Sequence, residues 1–194
     1  MPKGKTHEKI VILLIPYILI ILYVVSSFFS VSKIVFVFLG IVIFYFGGIY
    51  FSPDLDTKSN VYYRWKILRH IWNPYIFLFK HRSIYTHGII IGTIIRIIYI
   101  SFPVITITCC IWILVLHLSL EEYLAYILTL MSDYNYYILE IIIVLEISSL
   151  THTVPDIILT MLKKHRKVAF TILYVMCLLL SVIILIHLDL LKLY

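Results

Sequence analysis

Five stretches of this 194-residue chain, residues 10–29, 33–51, 97–118, 136–160 and 168–189, are apolar for about the length of a membrane-crossing helix. A hydrocarbon core of roughly 30 Å takes about 20 helical residues at 1.5 Å each. The chain is 62% hydrophobic and 13% charged, with a mean hydropathy of +1.05, which excludes an ordinary soluble domain. The predicted fold is all-α, a polytopic membrane helix bundle of about five transmembrane helices. The first run is too long, and has no small-residue cleavage site before Lys33, for a removed signal peptide. It is expected to remain as an anchor helix.

Five spans put the two ends of the chain on opposite sides, and the positive-inside rule chooses between the two orientations. Lys3, Lys5, Lys9, Lys58, Arg64, Lys66, Arg69, Lys80, Arg82, Arg96, Lys163, Lys164, Arg166 and Lys167 fall on one side, and only Lys33 and Lys192 on the other. The second side also carries Glu121, Glu122 and Asp133 in its one longer loop. The N terminus and the basic loops are therefore predicted to be cytoplasmic, in a multi-pass protein of the cell (inner) membrane. Topology and anionic headgroups account for the net charge of +6, so no nucleic-acid partner is expected. The sequence does not define an oligomeric state.

Cys109 and Cys110 are adjacent within the third run and Cys177 lies in the fifth, without a CxxC or a secretory framework, and read as small apolar residues. No linker separates a second unit. Residues 1–167, with a cytoplasmic segment at 52–87, read as one membrane domain, and residues 168–194 as a C-terminal transmembrane helix of the same bundle. Within the segment, Arg64 to Trp72 interleaves bases and aromatics at helical spacing, as an interfacial helix does. Asn73-Pro74 is expected to end it, with Tyr75 to Phe79 in the headgroup zone. Trp65 and Trp72 read as interfacial anchors, a lipid-substrate groove being the alternative.

Seven residues able to bind a metal fall at the predicted cytoplasmic face: His7, Asp54, Asp56, His81, His87, His152 and Asp156. Singly each has an ordinary structural reading, as an interfacial, solvated or helix-starting polar residue. Together they stand at four helix ends, and a helix bundle can surround one point with side chains from neighbouring helices. Comparable residues opposite are only His117, His187 and Asp189, while His70 and His165 stay unassigned. Imidazole with carboxylate suits a divalent ion, zinc first, with manganese or iron as alternatives. Seven candidates exceed the four or so ligands of one zinc, so either two ions share a bridging Asp or some residues support the others. His152 and Asp156 are spaced i, i+4, on one face of a continuous helix; Pro155 predicts a kink there, or a new turn after Thr153. In Asp54-Leu55-Asp56 the two carboxylates are placed to face different metals. Arg96 and Glu146 lie inside the predicted membrane boundary, where charges are rarely decorative, and are expected to form an intramembrane ion pair.

Pro2-Lys3-Gly4-Lys5-Thr6-His7, Ser52-Pro53-Asp54-Leu55-Asp56, Arg64-Trp65, His81-Arg82-Ser83, Thr86-His87-Gly88, Ile91-Gly92-Thr93 and His152 through Asp156 occur in that order. Over residues 2 to 167 the chain resembles the uncharacterised prokaryotic membrane proteins described as metal-binding. More distantly it is similar to the membrane-bound metal-dependent hydrolase family that includes LexA-binding inner-membrane proteins. The order His, Asp, His and HxxxD is also similar to that of the zinc-dependent phospholipase C and P1 nuclease superfamily. The resemblance implies that His7, Asp54, His81, His87, His152 and Asp156 are ligands and that Asp56 is a ligand or catalytic general base. It places Arg82 and Ser83 near a substrate phosphate.

The leading functional expectation is a metal-dependent hydrolase acting on a phosphoester, a lipid headgroup included, at the cytoplasmic membrane face, with one or two bound ions. The alternative is a non-catalytic metal-binding protein, sensing or structural, because a closed site leaves no open coordination position. Catalysis does not follow from the ligand set alone. Transport ranks below both: it is favoured by Arg96 and Glu146 alone, without visible inverted halves. There is no HExxH of a metalloprotease. Ala125 stands where a prenyl-protein protease would pair Glu121-Glu122 with an Arg. The phosphohistidine lipid-phosphatase pattern is missing too, since no Ser-Arg lies upstream of His152 and no Pro-Ser-Gly-His precedes it.

Overall fold

A computed structural model describes residues 4–29, 31–161, 171, 174 and 175, and every regular element among them is helical. The chain runs through α1 (Gly4–Ser26), α2 (Lys33–Ile49), a 3-10 turn (Pro53–Asp56), α3 (Asn60–Arg64) and a second 3-10 segment (Lys66–Trp72). It continues through α4 (Asn73–Leu78), α5 (Ile84–His87), α6 (Ile91–Leu114), α7 (Leu120–Asp133) and α8 (Asn135–Met161).

Among the described residues three helices, Thr6–Ser26, Ile91–Leu114 and Asn135–Ile158, are long and apolar enough to cross a membrane, against the four of the five sequence-predicted spans that fall on those residues. α2 has 17 residues, or roughly 25 Å of helix, because Tyr50 and the Pro53 turn end it early. The run at 168–189, with Cys177, lies outside the described residues.

α2 is wedged between α1 and α8. Val11, Ile18 and Leu22 of α1, Phe36, Phe44 and Ile49 of α2 and Val144 of α8 form one buried cluster. Close approach depends on Gly48, where a Cβ would lie 2.4 Å from Val11 Cγ2. Ser148 Oγ, buried at the same level, donates to the Phe44 carbonyl at 2.8 Å and ties α8 to α2. A second cluster, Phe51, Leu55, Val61, Tyr62, Trp72, Tyr75 and Leu145, roots the 52–79 segment against α8.

Several sequence-based boundaries shift for identifiable reasons. The expected helix over Arg64 to Trp72 is broken by Lys66, whose φ is +49°, and the remainder winds as a 3-10 segment. Pro74 sits in the first turn of α4 rather than only closing what precedes it, a position that needs no backbone donor. Trp72 and Tyr75 are fully buried in the second cluster, so neither serves as a headgroup anchor; burial pushes the Tyr75 hydroxyl up to about 12. The Trp65 indole donates to the Tyr50 carbonyl at 2.8 Å. α6 begins six residues before the predicted span, after Ile90 at φ +67°. The loop predicted to carry Glu121, Glu122 and Asp133 is helix α7, started by a reciprocal capping box between Ser119 and Glu122. α8 passes through Pro155 without a break, so no new helix starts after Thr153.

Candidate metal centre

The starts of α1 and α6 and the ends of α2 and α8 share one end of the bundle, and the residues between α2 and α6 fold over it. The Pro53–Asp56 turn is set by Pro53 in its first position and by Ser59, whose hydroxyl donates to the Asp54 carbonyl at 2.8 Å. Leu55 is fully buried, and its two flanking carboxylates reach different partners. α5 is brought in by Gly92, where a Cβ would lie 2.6 Å from the Thr86 carbonyl oxygen. His152 and Asp156 project from α8 one turn apart, and His7 meets them from the first turns of α1.

Five of the seven predicted ligands form two groups that share one residue. His7, His152 and Asp156 make the first; Asp54, His87 and His152 make the second. In each, one ligand atom per residue lies within 4.8 Å of the others. His7 Nε2 is 3.3 Å from Asp156 Oδ1, and His152 Nε2 is 3.3 Å from Asp54 Oδ1. His87 Nε2 stands 3.9 Å from the same Asp54 oxygen, and the His7 and His152 rings have centroids 3.9 Å apart. His152 is therefore the hinge of the cluster.

Asp56 and His81 stand outside both groups. The buried Asp56 accepts from His81 Nδ1 at 2.9 Å through one oxygen. Its other oxygen accepts from the Arg82 backbone N–H at 3.0 Å and lies 3.3 Å from His87 Nδ1. A carboxylate behind an imidazole fixes the ring's tautomer and directs its far nitrogen inward, the usual support of a metal-binding histidine. This wiring takes up both oxygens of Asp56, which accounts for its place behind His81 and His87.

Burial would raise the Asp54 carboxyl, but His152 and His87 on its two sides, through close contact and charge, hold it far below the usual carboxylate range. Burial acts on Asp56 in the same sense and is outweighed by hydrogen bonds from His87, Arg82 and His81, which also depress it. For His87 burial would lower the pKa, yet its contacts with Asp54 and Asp56 push it up to about 9. The metal-free cluster thus holds ionised carboxylates and a proton on His87.

His87 Nε2 and His7 Nδ1 are buried without a hydrogen-bond partner among the described residues. Such orphaned nitrogens are costly unless something fills the site. Two ligands each about 2.1 Å from a tetrahedral zinc ion lie roughly 3.4 Å apart, close to the 3.3 Å between His7 and Asp156 and between His152 and Asp54. The donor set and these unused nitrogens fit a divalent metal.

Arg96 and Glu146 interact electrostatically but form no ion pair among the described residues. Buried Arg96 donates instead to the Thr86 carbonyl at 2.8 Å, Ser149 Oγ at 2.9 Å and Thr93 Oγ1 at 3.1 Å. Glu146 accepts the Ile90 backbone N–H at 3.0 Å. The expected direct pair is replaced by two separate clamps, both fastening the start of α6 to α8. Exposed Arg82, at φ +59°, touches the centre through its backbone, and the Ser83 hydroxyl faces Thr86 Oγ1 at 3.5 Å.

Sequence reasoning passed over the wall of a cavity of about 280 Å3 lined by His7, Asp54 and His152 together with Glu8, Ser52, Lys58 and Arg64. Ser52 and Arg64 belong to motif strings that assign them no role, Glu8 and Lys58 belong to none, and the four come together only through the folding of the 52–64 segment. It also passed over Glu140, buried in α8 against Gly40, although the rule that singled out Glu146 applies to it equally.

Residues 2–166 match the family described as uncharacterized metal-binding protein (DUF2227), and the chain belongs to that family. An uncharacterized protein of Aquifex aeolicus (strain VF5) is 38% identical over 55 residues, a stretch covering 28% of this chain and 38% of that relative. No solved structure matches.

Proposed function

We propose that the protein is a membrane-embedded, metal-dependent hydrolase of phosphoesters at the cytoplasmic membrane face, with zinc the first candidate and one or two ions sharing His152. The observation that carries this reading is the pair of His/Asp groups bordering one cavity through His7, Asp54 and His152. A site built only to clamp helices has no need of a cavity against its ligands. The three apolar helices and the one-sided Lys and Arg distribution support the location and its sidedness.

In this reading His7, Asp54, His87, His152 and Asp156 hold the metal, and Asp56 positions His87 and His81 by fixing their Nδ1 protons. A divalent ion held there would supply an activated water and would neutralise charge on the attacked phosphoester. His81 keeps its Nδ1 on Asp56 while 43% of its side chain is open to solvent. The test is a screen of the metal-loaded, detergent-purified full chain against phosphomonoesters and phosphodiesters. Turnover that disappears in His87→Ala supports the reading; stoichiometric metal without any turnover assigns the centre to metal binding alone.

A further inference from the structure

We propose that the cavity beside the metal centre is a phosphate-binding site for a small phosphoester, with Lys58 and Ser52 as the residues that recognise the anion. This inference rests on the reading of the neighbouring cluster as a metal centre. Around the cavity, Asp54 is committed to His152 and His87. Glu8 is paired with Arg64, which also donates to the Ile49 carbonyl at 3.0 Å. Lys58, exposed at the cavity rim, forms no ion pair among the described residues, so a positive charge is left uncompensated there. Ser52 lines the cavity and is 1% exposed, and its hydroxyl is buried without a hydrogen-bond partner among the described residues.

An unneutralised cation, a buried spare hydroxyl and a neighbouring divalent ion together favour a group with several anionic oxygens, which is what a phosphate offers. Size and lining limit the rest of the ligand. A cavity of about 280 Å3 is at or below the low end of the roughly 300–1,000 Å3 usual for larger ligands. Among the described residues that line it, Gly48 and Val61 alone are apolar. The site therefore takes a phosphate with a few attached atoms and offers no wall to an acyl chain. Arg82 and Ser83, the sequence-based candidates for this role, do not line it.

The same phosphate chemistry could arrive as a soluble ester or as the headgroup of a lipid, and the experiment separates the two. Binding of inorganic phosphate, of glycerol 3-phosphate and of vesicles doped with phosphatidate is measured on the full chain, metal-loaded and metal-free. The proteins are wild type, Lys58→Met, Ser52→Ala, Arg82→Met and, as a control, Lys80→Met, an exposed lysine that does not line the cavity. Phosphate is expected to bind the wild type and to weaken about tenfold or more in Lys58→Met, the loss expected for a hydrogen bond to a charged group. Ser52→Ala should lose less and Lys80→Met nothing. Glycerol 3-phosphate following the same variant order identifies a soluble ester, and phosphatidate vesicles alone following it identify a lipid headgroup; either upholds the site. Absence of phosphate binding, or binding lost in Arg82→Met and kept in Lys58→Met, overturns it. Metal content of the same samples reports on the neighbouring centre, and Lys58-dependent binding without turnover upholds this site while removing the hydrolase assignment.

Discussion

α1, α2 and α8 pack as a core, whereas α6 and α7 stand largely outside it. In the first group glycines and hydroxyls bring the helices close, as at Gly48 against Val11 and Ser148 against the Phe44 carbonyl. In the second, the most apolar window of α6 has no buried residue, and Tyr123 is the one buried residue of α7. α6 is fixed at its start by Arg96, Thr93 and Glu146, and farther along by the Tyr123 hydroxyl against Thr108. The difference assigns two tasks. The packed helices hold the histidines and carboxylates in place, and the outer ones present an apolar surface that is stable only against lipid, detergent or another apolar chain.

The largest expected contrast is between Gly48→Leu and Ile107→Ala. Leucine at 48 would drive into Val11 and prevent the packed half from assembling, read as loss of folded, monodisperse protein. Truncation of the exposed Ile107 should change stability in detergent by no more than about 0.5 kcal/mol. Equal losses from the two would end the distinction. Asp56→Asn comes next: without a carboxylate behind His81 and His87, metal affinity should fall about 10- to 100-fold while helicity by circular dichroism stays unchanged.

A smaller effect comes from pH. The raised His87 gives the metal-free protein stability that is full below its ordinary value of 6.5 and fades as pH rises through about 9. The depressed Asp54 and Asp56 contribute stability that is present above about 3.8 and fades as pH falls below it. Metal must displace the proton on His87, so the rise in melting temperature on metal addition should grow between pH 6.5 and 9. A flat increment across that window would remove His87 from the ligand set. The smallest effect is the coupling between Arg96 and Glu146, whose bonds go to different partners. A double-mutant cycle with Arg96→Met and Glu146→Gln should give a coupling below about 0.5 kcal/mol, against the several kcal/mol of a broken buried pair.

Composition and apolar runs were enough to read the helical class, and spacing along the chain was enough to collect His7, Asp54, His87, His152 and Asp156 at one end. His7, His152 and Asp156 were legible because long helices carry a side chain to a face fixed by its position in the sequence, and Asp54 and His87 because each lies within a few residues of the end of such a helix. What the sequence did not carry lies in the 52–90 segment. There, short elements are divided by single residues at positive φ, Lys66, Arg82 and Ile90, which have no strong signature when the residue is not glycine. The place of Asp56 behind His81 and His87, and the cavity wall of Ser52, Lys58 and Arg64, follow from those bends and from contacts distant in sequence. α7 was readable from Ser119-Leu120-Glu121-Glu122, a capping-box pattern concealed by the expectation of a loop.

The most direct test is the metal content of the purified full chain, wild type beside His152→Ala, after reconstitution with zinc, manganese or iron. Two groups sharing His152 predict one or two equivalents of divalent metal in the wild type and loss of every equivalent in the variant, with helicity retained. A folded wild type that binds no metal, or a His152→Ala variant that keeps its full complement, would contradict the shared centre.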